Sequence, residues 1–237
     1  MKLRRVKESF AGLKKNKKMT HTVHPYAHRL GIIRDWKSRW FSVKDKYKEN
    51  LKGDVLIYGY LKKRLKGFFV NSIEIERSVK IFRIIIETSR PGLIIGRSGE
   101  GMNKLREDIL KFMRKNKLSS KEELKIDVKE VKSPESSAMI FAQMTAEALE
   151  KRMPFRRVMK TMVEKAFANR DVKGVKISLA GMLGGSKMAR LESKKTGRIP
   201  LQTLRADIDY AQYEALIPLG KIGIKIWIYK GEIFDKK

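Results

Sequence analysis

Two stretches in the first half of the chain repeat apolar residues at every second position: Ile73 and Ile75 alternate within 69–76, and Phe82, Ile84 and Ile86 share one face within 79–87. A side chain that returns to the same face every second residue marks a strand with one buried side, so both stretches are predicted strands. Only Arg77-Ser78 separates them, which predicts a hairpin. The period then lengthens. Met102, Leu105, Ile109, Phe112 and Met113 recur at i, i+3, i+7, i+10 and i+11, one stripe of an amphipathic helix, before Leu124, Ile126 and Val128 return to period two. Downstream, Ala138, Phe141, Ala142 and Leu149 give a helix that ends before Pro154, and Phe155, Val158, Met159, Met162, Val163 and Ala166 give a second. Val175, Ile177 and Leu179, and later Ile222, Ile224, Ile226 and Ile228, alternate as strands, with glycines at 181, 184, 185, 197, 220 and 223 for turns or bends.

These elements predict an α+β chain of two units. The first ends near residue 132, where Ser133-Pro134-Glu135 supplies an N-cap, an N1 proline and a first-turn acid for a new helix. The second, 133–237, is an α/β unit with two helices packed on an antiparallel sheet. Residues 1–20 precede both and carry eight basic residues and one acid, which reads as a disordered basic arm. A mitochondrial-type presequence, or initiation at Met19, is the alternative reading of that segment.

Charge narrows the partners. Fifty-five Lys and Arg against 26 Asp and Glu leave a formal net charge of +29 and a pI near 10.3, a self-repulsion that a polyanion relieves. No apolar run approaches the roughly 20 residues that span a bilayer, so a membrane is not expected. The chain has no cysteine, hence no disulfide framework and no thiolate metal site, and no apolar signal-peptide core is apparent.

Two clusters offer chemistry for such a partner. Gly96-Arg97-Ser98-Gly99 lies between an apolar run, Leu93-Ile94-Ile95, and the amphipathic helix. Glycine at both corners lets main-chain N–H groups press against phosphates, because no Cβ blocks the approach and φ > 0 is allowed. Ile84, Ile94 and Ile95 belong to the core, one of them also flooring the groove. In the second helix of the C-terminal unit, about 100° per residue puts Arg156, Arg157 and Lys160 opposite the apolar stripe, with no acid before Glu164. RNA contact is preferred over a merely solvated face.

Other residues invite sharper readings that weaken on inspection. His21, His24 and His28 fall within eight residues, but without cysteine and with Pro25 interrupting a helical register they suit RNA contact or capping better than metal. Asp207 and Asp209 share a strand face and could hold Mg²⁺ in a nuclease, yet Arg198 and Arg205 offer salt bridges and no third carboxylate completes a site. Trp36 and Trp40 alternate with Arg34, Lys37 and Arg39, and core packing is expected for both rings. No cofactor, metal or catalytic residue is expected.

The order helix, strand, strand, helix, GxxG, helix, strand resembles a type II KH domain, whose glycine loop clamps single-stranded backbone. The chain as a whole is similar to the bacterial small-subunit ribosomal protein three family, from about Met19 onward. The matching blocks include Val23-His24-Pro25, Arg29-Leu30-Gly31, Arg90 through Gly99, Phe155-Arg156-Arg157, Gly197 through Leu201, Thr203 through Tyr210, and Gly231-Glu232-Ile233. The resemblance implies a structural, non-enzymatic protein of the subunit head, cytoplasmic or organellar, ribosome-bound. It implies contacts with rRNA, with mRNA at the channel entrance and with ribosomal proteins ten and fourteen. It assigns the loop, Gly96, Arg97, Ser98 and Gly99, to RNA and gives Arg156, Arg157 and Lys160 the messenger. A free KH-type regulator of mRNA is the alternative binding function. Many family members carry two lysines in the glycine loop, where Arg97 and Ser98 stand here, and residues 1–18 extend beyond the usual start.

Overall fold

The computed structural model describes residues 23–78, 80–116, 118 and 123–234; the predicted basic arm, His21, Met19 and Val79 lie outside the described residues. Among the described residues eight strands form two four-stranded sheets, each with its own helices.

The first sheet has the order β1 (Ser38–Arg39), β2 (Val70–Arg77), β3 (Ile81–Thr88), β4 (Glu123–Glu130). β2 and β3 are antiparallel, joined by the expected hairpin, in which the Ser78 N–H donates to the Ile81 carbonyl at 2.9 Å. β1 and β4 run parallel to their neighbours. Ile73, Ile75, Phe82, Ile84, Ile86 and Leu124 face helices α2 (Asp45–Arg64) and α4 (Glu100–Lys115), which contribute Ile57, Leu61, Leu105, Ile109 and Met113 to one core. Each fully buried isoleucine contributes roughly 1.5–3 kcal/mol. Between β3 and α4 lie the short helix α3 (Pro91–Ile95) and the glycine loop.

The second sheet has the order β6 (Arg190–Gly197), β5 (Gly174–Gly181), β8 (Gly220–Glu232), β7 (Ala206–Ile217), antiparallel throughout. One face is covered by α5 (Ala138–Glu150) and α6 (Phe155–Phe167). There Val175, Ile177, Leu179 and the isoleucines 222 to 228 meet Phe141, Ala142, Val158 and Val163.

Two details differ from expectation. Ser133 does not cap a helix: Pro134–Ser136 form a single 3₁₀ turn, α5 begins at Ala138, and the first free N–H is taken by Asp209 Oδ2 at 2.8 Å. A cap supplied 71 positions away in the chain has no local signature. The tryptophans also divide. Trp40 is half-buried against Tyr47, at 5.3 Å between ring centroids, whereas Trp36 is 61% exposed on the two-residue edge strand's approach and packs no core.

The start of the described chain crosses between the units. The short helix α1 (Pro25–His28) and Arg29 rest on β7 of the second sheet rather than on the first sheet, which follows them in sequence. Arg29 is fully buried. Its guanidinium donates to the carbonyls of Ala206 (2.6 Å), Leu201 and Thr203 (2.9 Å each) and Pro25 (3.0 Å). Ser137 Oγ to Asn71 Oδ1 (2.6 Å) and Gln143 Nε2 to the Val70 carbonyl (2.8 Å) add direct bonds between the units.

Candidate nucleic-acid interface

The glycine loop stands at the N-terminus of α4, on the surface. Gly96 (φ 70°) and Gly99 (φ 81°) both take left-handed backbone, and Ser98 between them does so as well (φ 49°). A non-glycine residue held there costs on the order of 1–3 kcal/mol, and such outliers gather where a ligand is gripped. Two kinds of space surround the loop. A Cβ on Gly99 would meet nothing within 4 Å, while one on Gly101 would lie 2.4 Å from the Ile94 carbonyl oxygen. Gly101 thus lets α4 begin tight against the end of α3, and Gly99 keeps the outside open. Sequence reasoning missed Gly101; the third glycine in Gly99-Glu100-Gly101 was the available signal.

Arg97 and Ser98 are exposed, and Arg97 has no ion pair among the described residues. Of the three isoleucines, Ile84 and Ile94 are buried and Ile95 is 38% exposed beside the loop. The positive end of the α4 dipole points toward the same opening. Arg90, stacked 4.8 Å over the Phe69 ring, adds a second guanidinium at the start of α3.

The ridge lies on the other unit. α6 buries Val158, Met159, Val163 and Ala166 and leaves Arg156, Arg157 and Lys160 exposed, as the wheel required. Arg156 is 76% exposed and only loosely paired, 3.9 Å from Glu192. Arg157 and Lys160 have no carboxylate partner among the described residues. Arg190, delivered by β6, stacks 5.4 Å over Phe155 and extends the ridge; no local pattern marked it, because pairing of β5 with β6 brings it there.

The acidic pair is spoken for. Asp207 accepts from Arg34 Nη2 at 2.6 Å, rather than from Arg198 or Arg205, and Asp209 caps α5. Arg205 pairs instead with Glu232. Among the described residues no three His, Asp or Glu side chains gather as a metal site. His24 is a cap: its Nδ1 accepts the N–H groups of Tyr26 (3.2 Å) and Ala27 (3.4 Å), and its ring meets Tyr210 edge-on at 4.7 Å. Burial, and secondarily the charge of Lys37, lowers the His24 pKa from 6.5, which keeps the imidazole neutral and able to accept.

An exposed glycine loop on a mixed sheet, joined to a cationic α/β unit, defines an RNA-binding protein of the KH class. The family model described as KH domain matches residues 56–136, and that of Ribosomal protein S3, C-terminal domain, matches residues 145–228. Proteins named small ribosomal subunit protein uS3 align along nearly the whole chain. That of Caldicellulosiruptor bescii is 44% identical and that of Clostridium novyi 42%, each covering 92% of this chain and 96% of the relative. That of Ectopseudomonas mendocina is 43% identical and covers 91% of both. The chain belongs to the uS3 family of small-subunit ribosomal proteins, which are structural rather than enzymatic.

Proposed function

We propose that this chain is a structural constituent of the small-subunit head that grips RNA at two places. The glycine loop, Gly96 to Gly99, holds backbone phosphates of rRNA, and the ridge of Arg156, Arg157 and Lys160 lines the entrance of the messenger channel. The proposed division has three segments: a basic arm at 1–20, a KH-bearing region at 21–132 that carries the loop, and a C-terminal unit at 133–237 that carries the ridge. Ribosomal proteins ten and fourteen are the proposed neighbours, and the cytoplasm the proposed location of the ribosomes that carry it.

The observation that carries the reading is the state of the ridge: three cations on one face of α6, two of them without a carboxylate partner among the described residues, in a chain of charge +29. Guanidinium and ammonium groups held in this way bind a strand of any sequence and oppose its re-pairing, with nothing hydrolysed. Replacing all three by Ala tests the assignment. Translation through a structured message should slow more than translation through an unstructured one; equal slowing would reduce the ridge to an assembly element. The regulator alternative predicts protein free of ribosomes, whereas this reading predicts co-sedimentation with small subunits and release only at high salt.

A further inference from the structure

We infer that the face of the C-terminal sheet turned away from α5 and α6 is a second RNA-binding surface, seating a single-stranded segment with a base against Trp227 and Tyr210 and phosphates on Lys176, Lys195 and Lys225. This goes beyond the loop and the ridge, and stands whether or not either holds RNA.

Strand register builds the surface. Lys195 of β6 pairs with Lys176 of β5, Lys176 with Trp227 of β8, and Trp227 with Tyr210 of β7. One row of side chains therefore crosses all four strands, two cations followed by two aromatic rings, over about 14 Å from the usual strand spacing. The next row along places Ser193, Ser178, Lys225 and Gln212 in the same order. On β5 and β8 these positions alternate with the buried Val175, Ile177, Leu179, Ile224, Ile226 and Ile228, so the rows lie on the opposite face, where Ser178 is 6% exposed between its larger neighbours.

Two facts point to a polyanion. Like charges directly opposite each other on neighbouring strands are destabilising, and Lys176 with Lys195 is such a pair. No acid in either row offsets it. Glu214, two positions beyond Gln212 on the same face, is engaged by Lys221 at 3.0 Å. The rings then fix the kind of polyanion. Ile199 and Tyr229 pack on Trp227 from one side, while Lys176 Nζ lies 5.1 Å from its ring centroid and Tyr210 5.3 Å away at 45°. His24 meets Tyr210 edge-on at 4.7 Å, so α1 covers the β7 end of this face and the two rings are half-buried there. Half-buried aromatic rings beside ammonium groups that have no carboxylate partner among the described residues are the chemistry that stacks unpaired bases and holds the phosphates between them.

The test uses the full chain and a 12-nucleotide oligouridine containing 4-thiouridine. The loop and ridge are silenced by Gly96→Asp, Gly99→Asp, Arg156→Ala, Arg157→Ala and Lys160→Ala, and the unaltered chain is run beside it. Photo-crosslinked peptides from both proteins should include residues 174–181 or 221–229. Adding Lys176→Gln, Lys195→Gln and Lys225→Gln to the silenced chain should weaken oligouridine binding at least fivefold. Crosslinks absent from both peptides, or a loss smaller than fivefold, would overturn the inference and leave this face to a protein or to solvent.

Discussion

Arg29 Nε donates to the carbonyl oxygen of Ala206 at 2.6 Å, across 177 positions of chain, and the same guanidinium holds the carbonyls of Leu201 and Thr203. A single buried cation thus ties the beginning of the described chain to the approach to β7. Arginine suits the place because its planar fork serves several acceptors at once and stays charged.

Arg29→Ala should therefore cost on the order of 3 kcal/mol, since several buried carbonyls lose their donor together. Arg29→Lys should recover only part of it, having no fork. Urea denaturation of the three proteins checks the ranking; equal midpoints would show that the carbonyls find other donors.

Gly99 and Gly101 should separate binding from folding. Gly101→Ala drives a Cβ into the Ile94 and Ile95 carbonyls and should destabilise by about 1–3 kcal/mol. Gly99→Asp meets open space, costs about 1–2 kcal/mol for its left-handed backbone, and places a carboxylate where phosphate must approach. RNA affinity measured at fixed salt should fall at least fivefold for Gly99→Asp. Unchanged affinity would take the loop out of the site.

Asp209 should behave as a cap and not as a metal ligand. Asp209→Ala should cost about 1 kcal/mol through the lost Ala138 bond, and Asp209→Asn, which keeps an acceptor, less. Incubation with Mg²⁺ and RNA should show no cleavage in any of the three proteins. Metal-dependent cleavage lost in Asp209→Asn would contradict the structural role.

His24 predicts an acid-side loss of stability. Its folded pKa is depressed below 6.5, so near and below that pH the unfolded chain binds a proton that the folded chain does not. Stability then declines as pH falls through about 6.5 toward the folded value. Protonation also removes the acceptor that holds the Tyr26 and Ala27 N–H groups. In His24→Asn, an amide that can still cap, the drop in melting temperature between neutral pH and pH 5.5 should shrink. An identical drop would assign the acid sensitivity to other groups.

Periodicity made the sheets legible because each has one face buried against helices: Phe82, Ile84 and Ile86, Val175, Ile177 and Leu179, and Ile222 to Ile228 recur at every second position and are buried. The loop and the ridge were legible for a related reason, since glycine spacing and the α6 wheel are local. What escaped was set by distant pairing. Nothing near Ser38 announces a strand, because β1 exists only by lying parallel to Ile75 and Glu76. Asp207 chose Arg34 over the nearer Arg205, and Asp209 turned to Ala138, because α1 and α5 flank β7 from sequence positions far away. Gly101 passed as an ordinary helix residue until the Ile94 carbonyl appeared against it.

The proposed grip on RNA is tested most directly by mass spectrometry of peptides photo-crosslinked to RNA in intact small subunits carrying this protein. The account predicts rRNA adducts on the peptide containing Gly96 to Gly99, and messenger adducts, in the presence of bound mRNA, on the peptide containing Arg156, Arg157 and Lys160. Neither peptide crosslinked, with adducts confined to other parts of the chain, would contradict it.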